Sequence, residues 1–143
     1  MATPADIHSQ MASAWNTRDF ARFRELLHPE YSYTGGDGQE HTGGPDVGVG
    51  IAQMYAAAFG DGVLEVRRVY THGDVAVAEM IARGTHTGEL MGIAATGRKI
   101  EITICNIAEL RDGKLYRERE YMDMMHMLTQ LGLISAPAQA AGE

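Results

Sequence analysis

The last predicted strand, residues 114 to 123, carries ionisable and phenolic side chains at alternate positions. Because successive side chains of a strand point to opposite faces, Arg119, Tyr121 and Asp123 share one face. A carboxylate beside a phenol can take a proton next to a carbonyl and stabilise the oxyanion that results. Apolar surroundings would raise the pKa of the Asp123 carboxyl toward the working pH. Asp123 could instead cap a helical turn that begins at Met124, and the residues alone leave both roles open.

Three further polar side chains are candidates for contact with a ligand. Asn106 shares a strand face with Ile104 and Ala108, so its amide is predicted to face the apolar side and to need a partner, either substrate or protein. His86 opens a glycine-rich loop and is either a second acid/base or only a loop residue. Arg119 could hold a carboxylate or enolate at the far end of a substrate, or form a cross-strand ion pair.

Aromatic and methionine side chains in the first 60 residues could line a pocket for a flat hydrophobic ligand. The indole of Trp15 and the phenol of Tyr55 have polar ends that need partners, which favours a cavity wall for both. For Phe59 the helical spacing fits a plain core position. The predicted lining residues are Trp15, Tyr31, Tyr33, Met54, Tyr55 and Phe59.

Composition argues against several classes of function. A net charge of -7 without any basic run argues against nucleic acid as a partner. The six histidines show no pair at the spacing of a metal motif, and phosphate-loop, dinucleotide and GxSxG patterns do not occur, so no metal or cofactor is predicted. Cys105, the single cysteine, cannot form an intramolecular disulfide. With neither a signal peptide nor a membrane-spanning stretch evident, we expect a cytoplasmic protein without a membrane partner.

The elements that must position these residues begin with helices. Thr3 and Pro4 predict the start of a first helix, and Asp19 predicts the cap of a second, which Pro29 would end. The alternation around Tyr31 predicts a short strand. A third helical stripe is expected to start near Ile51, because the glycines before it disfavour a helix.

Four long strands then dominate the chain. Their β-branched residues predict strands over 63–71, 75–86, 98–110 and 114–123. The turn pairs Gly73-Asp74 and Asp112-Gly113 predict antiparallel hairpins. Four glycines make regular structure improbable over 84–97, which is expected to be a lid or a hairpin tip. A last helical turn over 124–131, stopped by Gly132, completes an α+β domain over 1–134 with a loose tail over 135–143.

Short motifs along the chain resemble the SnoaL-like polyketide cyclases. The resemblance covers about residues 7 to 134 and rests on the series taken together. It is carried by Gly84-Thr85-His86-Thr87-Gly88, Gly92-Ile93, Thr96-Gly97-Arg98, Asp112-Gly113-Lys114-Leu115 and Gln130-Leu131-Gly132.

The resemblance implies the cone-shaped fold of nuclear transport factor 2 and ketosteroid isomerase, in which helices close a curved sheet around one apolar pocket. It implies a cofactor-independent cyclase or isomerase acting on a small hydrophobic or aromatic carbonyl compound, with Asp123 as the acid/base, and it suggests a homodimer. The chain departs from the family at two positions: the family commonly has Trp where this chain has Arg119, and Pro where it has Ala95. The first departure concerns the substrate, because it replaces an aromatic wall with a fixed cation.

Two other functions stay open at the level of sequence. A hydratase or epoxide hydrolase on the same fold would need Asp123, Asn106 and Arg119 to converge on one water. A non-catalytic module for binding or dimerisation would have Asp123 exposed or committed to capping, with methionine and tyrosine side chains filling the cavity.

Overall fold

The computed structural model describes residues 1–135; of the predicted tail, residues 136–143 lie outside the described residues. The helices are α1 (Ile7–Asn16), α2 (Phe20–Glu25), α3 (Pro45–Ala58) and α4 (Met124–Gln130). The strands are β1 (Leu27–Thr34), β2 (Glu40–Thr42), β3 (Val63–His72), β4 (Val75–Thr85), β5 (Lys99–Arg111) and β6 (Lys114–Met122).

All six strands join one open mixed sheet in the order β2-β1-β6-β5-β4-β3. The pair β1–β6 is parallel, whereas the other neighbouring pairs are antiparallel. The parallel pair places the N-terminal β1 beside the C-terminal β6, so strands from the two ends of the chain meet within the sheet. The predicted α+β class and its curved sheet over N-terminal helices are confirmed.

Alternation along β5 determines which face of the sheet is internal. Its even-numbered residues from Ile100 to Leu110 are buried, whereas its odd-numbered residues are exposed or half-buried. The register pairs Asn106 with Glu120 of β6, and cross-strand partners point to the same face. Glu118 and Glu120 therefore point inward with Asn106, and Arg119 and Tyr121 point outward.

The four predicted long strands are confirmed to within two residues at each end, as is the helix that Gly132 stops. The segment between β4 and β5 contains only an isolated bridge, Leu90 with Ile93, as its glycines predict. Within the described residues, none of the helices is long and apolar enough to cross a membrane.

The helix boundaries differ from the predicted ones at three points. The first helix starts at Ile7 with Asp6 as its cap rather than near Pro4. The second ends at Glu25, and Pro29 lies inside β1 instead of ending the helix. The third begins at Pro45, not near Ile51, because packing against β1 outweighs the low helix propensity of its glycines.

Candidate active site

A pocket lies between the inner face of the sheet and the helices α1 and α3. It has an empty volume of about 940 Å³, counting the part that is open to solvent. Apolar side chains such as Met11, Ile51 and Ile102 form most of its wall, while the exposed Val63 and Arg83 stand where the pocket meets solvent. Such a wall suits a flat hydrophobic ligand.

Two carboxyl groups occupy the polar part of this apolar pocket. Glu118 and Glu120 both project from β6, two residues apart on the inner face. The hydroxyl of Tyr31 donates a 2.5 Å hydrogen bond to Glu118 Oε1, and that of Tyr33 donates a 2.6 Å hydrogen bond to Glu120 Oε2. The parallel pairing of β1 with β6 places these phenols beside the carboxyls.

One amide joins the two carboxyls. The Nδ2 atom of Asn106 donates to Glu118 Oε2 at 2.8 Å and to Glu120 Oε1 at 3.1 Å. Its Oδ1 atom lies 2.7 Å from Nε2 of His8, which must be the donor because the amide oxygen can only accept. All four carboxylate oxygens therefore have a donor, and the chain of hydrogen bonds runs from α1 through β5 to β6.

Burial determines the proton affinity of this cluster. Loss of solvation, and then the neighbouring charge of Glu120, raise the pKa of Glu118 to about 7, while burial raises the pKa of Glu120 as well. Burial lowers the pKa of His8, so the imidazole is neutral. Burial and the carboxylate charges raise the pKa values of Tyr31 and Tyr33, which keeps both phenols protonated. A carboxyl that titrates near neutral pH can both accept and return a proton.

Most of the predicted lining residues meet in this pocket. The indole nitrogen of Trp15 donates to the carbonyl oxygen of Ala52 at 3.0 Å, which fastens α1 to α3. Met54 is half-buried and is not part of the pocket wall. The predicted residues on the wall are Trp15, Tyr31, Tyr33, Tyr55, Phe59 and Asn106. Their contact with substrate stays a prediction.

The predicted catalytic residues at the end of the chain, Arg119 and Tyr121 of β6 and Asp123 just after it, lie elsewhere. Asp123 is exposed and caps α4, its Oδ1 accepting a hydrogen bond of 2.9 Å from the backbone nitrogen of His126. Tyr121 is 59% exposed, and Arg119 forms a 2.7 Å ion pair with Glu109 on the outer face. None of the three lines the pocket, because they alternate with the residues that do.

His86 is also separate from the pocket wall. It is fully buried, and its Nδ1 accepts a 3.2 Å hydrogen bond from the backbone nitrogen of Thr96. Its ring centroid lies 5.5 Å from that of Phe59. In this position the imidazole links the two ends of the glycine-rich segment, and its predicted acid/base role stays a prediction.

Glu118, Glu120 and His8 line the pocket but were not predicted from the sequence. Charged residues occupy both faces of β6, so alternation alone does not show which face is internal. The signal in β5 is the regular apolar alternation, which places Asn106 on the inner face. Its pairing with Glu120 depends on a register shift between Glu109 and Leu110 that the sequence does not reveal. Within residues 1–135 no group of three or more histidine, cysteine, aspartate or glutamate side chains is arranged to hold a metal ion.

Comparison with known proteins agrees with this architecture. The family model of the SnoaL-like polyketide cyclases matches residues 5–131. Aklanonic acid methyl ester cyclase AcmA of Streptomyces galilaeus is 27% identical over 124 residues, covering 86% of each chain. Nogalonic acid methyl ester cyclase of Streptomyces nogalater is 29% identical over 124 residues, covering 85% of this chain and 92% of the relative.

Solved structures give the same result. IdmH of Streptomyces antibioticus superposes with a TM-score of 0.77 at 31% identity, covering 90% of this chain and 98% of its own. TsrD of Streptomyces laurentii superposes with a TM-score of 0.81 at 25% identity, covering 91% of this chain and 95% of its own. The protein described here belongs to the SnoaL-like polyketide cyclase family.

Proposed function

We propose that this protein is a cofactor-independent cyclase that closes a ring by an intramolecular aldol reaction on a hydrophobic, aromatic polyketide-like carbonyl compound. The observation that carries the proposal is the pair of buried carboxyls, Glu118 and Glu120, set in an otherwise apolar pocket. Desolvated carboxyls of raised pKa are the groups that proton transfer next to a carbonyl requires.

Glu120 is the better placed of the two to act as the acid/base. Glu118 is 5% exposed and lies beneath Tyr31, whereas Glu120 is half-buried and therefore nearer the open part of the pocket. Glu120 of β6 and Tyr55 of α3 both line the pocket, so the space that a ligand would occupy lies between them. Glu118 is then the partner whose pKa the charge of Glu120 raises.

The proposed step is balanced in protons and electrons. The Glu120 carboxylate takes the proton from the carbon next to a carbonyl, and the C–H electron pair forms an enolate. The enolate carbon attacks a second carbonyl carbon of the same molecule, which forms the ring bond and leaves an alkoxide. The protonated Glu120 then returns its proton to the alkoxide, and the carboxylate is restored.

The pocket walls support a planar substrate. Trp15, Tyr55 and Phe59 supply aromatic faces, and the carboxyl pair makes the polar part of the pocket anionic once either carboxyl is ionised. An uncharged substrate, such as an ester, avoids repulsion from that charge. The relatives AcmA and the Streptomyces nogalater enzyme are named for the methyl esters of aklanonic and nogalonic acid.

Two competing functions fit the geometry less well. Asp123, Asn106 and Arg119 do not converge, since Asn106 faces the pocket and the other two face outward, so the water-activating arrangement is not favoured. A binding module would have Asp123 exposed and committed to capping, which it is; what favours catalysis over binding alone is the pair of buried carboxyls, Glu118 and Glu120.

The test compares Glu120→Gln with Asp123→Asn on aklanonic acid methyl ester, nogalonic acid methyl ester and small enolisable ketones. We expect wild type to close a ring on at least one ester and Glu120→Gln to lose at least about a hundredfold in kcat. Asp123→Asn should retain turnover. Loss of turnover in Asp123→Asn alone would return the acid/base role to Asp123, and inertness of wild type toward every compound would contradict the cyclase proposal.

We also propose that the outer face of the sheet forms a homodimer. Half-buried Val77, Ile81 and Ile107 lie at its centre, and Arg119 and Glu109 supply charges of both signs. A two-fold axis would bring the same patch of each copy together, so a surface with both charges can match itself. Sedimentation velocity should show a dimer in wild type and a monomer in Ile107→Asp. A monomeric wild type would contradict this proposal.

A further inference from the structure

Within the described residues, most side-chain hydrogen-bond donors on the pocket wall already have an acceptor in the protein. Tyr31 and Tyr33 donate to Glu118 and Glu120, and Asn106 donates to both. The donors on the helix side are also committed, since Nε2 of His8 donates to Asn106 and the indole nitrogen of Trp15 to a backbone carbonyl oxygen. At the mouth, Arg83 is bound to Glu65 and Glu101.

One phenol on the pocket wall differs from these groups. Within residues 1–135 the hydroxyl of Tyr55 makes no hydrogen bond to another protein group, although its side chain is half-buried and contacts both halves of the hydrophobic core. The hydroxyl oxygen of Tyr55 is not fully buried, so it opens onto the pocket or solvent, and a bound ligand can accept its hydrogen bond there.

The Tyr55 hydroxyl is placed where it could donate a hydrogen bond to a ligand that lies beside the carboxyls. Tyr55 comes from α3 and Glu120 from β6, so they approach the pocket from the helix side and the sheet side. Burial, and then the charges of Glu120 and Asp37, raise the pKa of Tyr55 to about 12, so the phenol remains a donor at neutral pH.

We propose that the Tyr55 hydroxyl is the donor to the substrate's carbonyl oxygen, and that it stabilises the enolate which forms when Glu120 takes the neighbouring proton. This assignment rests on the proposed function for the identity of the base. The Tyr55 O–H bond stays intact throughout, and the phenol strengthens its hydrogen bond as negative charge develops on the oxygen. Tyr33 is excluded from this task in the resting pocket because its proton is already donated to Glu120.

Small bicyclic ketones test the assignment without the natural substrate. The probe is 1-tetralone, an aryl ketone with an exchangeable proton beside its carbonyl, and the control ligand is tetralin, which lacks the oxygen. We expect Tyr55→Phe to weaken tetralone binding at least about fivefold, roughly 1 kcal/mol, and to leave tetralin binding unchanged. In the infrared difference spectrum, wild type should shift the bound carbonyl stretch to lower wavenumber, and Tyr55→Phe should lose that shift.

Exchange of the α-proton in D2O, followed by NMR, supplies the kinetic test. Tyr55→Phe should slow the exchange of bound tetralone at least about a hundredfold. The matched control is Tyr33→Phe, which also removes a pocket phenol but should keep the carbonyl shift. If Tyr55→Phe weakened the binding of tetralone and tetralin equally, Tyr55 would be only a packing residue and the proposal would be overturned. A carbonyl shift that vanishes in Tyr33→Phe but persists in Tyr55→Phe would also overturn it.

These readouts separate the assignment from the cyclase proposal. A carbonyl shift that depends on Tyr55, together with no turnover of any polyketide ester, would retain Tyr55 as the donor and contradict the cyclase. If wild type closes a ring and Tyr55→Phe closes it equally fast, the cyclase proposal is retained and the assignment of Tyr55 as the donor is contradicted. Failure of tetralone to bind wild type saturably would count against the donor assignment.

Discussion

Glu118 and Glu120 accept hydrogen bonds from the same nitrogen, Nδ2 of Asn106, at 2.8 and 3.1 Å. An amide nitrogen has two hydrogens, so this single side chain can serve one oxygen of each carboxyl. Two carboxyls held on one amide in an apolar pocket cannot both ionise without mutual repulsion, which burial intensifies. The arrangement therefore raises the pH at which the pair loses its first proton above that of two exposed glutamates.

The free energy of unfolding should depend on pH because the pKa of Glu118 is raised in the folded protein. Its pKa rises from 4.5 in the unfolded chain to about 7 in the folded protein, so the folded state binds more protons between those values. The stabilisation is complete below pH 4.5 and is lost as pH rises through about 7. The free energy of unfolding in urea is measured at about pH 5 and about pH 8 for wild type and for Glu118→Gln. Between the two pH values, wild type should lose about 1 to 3 kcal/mol more than the variant.

The comparison with Glu118→Gln is needed because His8 acts in the opposite direction. Burial lowers the pKa of His8, so its contribution is present above its ordinary pKa of 6.5 and is lost as pH falls. The glutamine side chain of the variant would retain the local geometry, with its amide accepting from Asn106 and donating to the oxygen of Tyr31. An identical pH dependence in wild type and Glu118→Gln would show that the carboxyl does not have a raised pKa.

Gly48 is required where α3 crosses β1. A β-carbon at Gly48 would lie 2.5 Å from Cδ1 of Leu27 and 2.8 Å from Cε1 of Tyr31, so Gly48→Ala must displace the phenol that donates to Glu118. We expect a loss of about 1 to 3 kcal/mol in the free energy of unfolding. Gly50→Ala in the same helix is the matched control, because a β-carbon there contacts nothing within 4 Å and alanine favours the helix by up to about 1 kcal/mol. Similar effects of the two substitutions would argue against close packing at Gly48.

How much of this could be predicted from sequence depends on the element. The four long strands were predicted closely because β-branched runs are separated by the turn pairs Gly73-Asp74 and Asp112-Gly113. The start of α3 was missed because Gly48 disfavours a helix locally, while its lack of a side chain is what lets α3 approach Tyr31. Local propensity and tertiary packing disagree at this residue, and tertiary packing prevails.

The candidate site was harder to predict for a different reason. On β6 the pair Arg117 and Arg119 alternates with the pair Glu118 and Glu120, so polarity is alike on the two faces and does not reveal the inner one. Only the register with β5, which the sequence does not state, places the glutamates inside. The resemblance to a family supplied the fold and the pocket but directed attention to Asp123.

The role of Asp123 can be tested through stability as well as activity. Its carboxylate caps α4 by accepting from the backbone nitrogen of His126, in the same way that Asp19 caps α2 by accepting from that of Arg22. We expect Asp123→Ala to lower the free energy of unfolding by about 1 kcal/mol and Asp123→Asn to change it little, because asparagine is an equally good cap. Asp19→Ala, at a cap remote from the pocket, should give a loss of similar size. If Asp123→Asn preserved stability while abolishing ring closure, the carboxylate would have a chemical role that capping does not explain, and the assignment of Glu120 would have to be withdrawn.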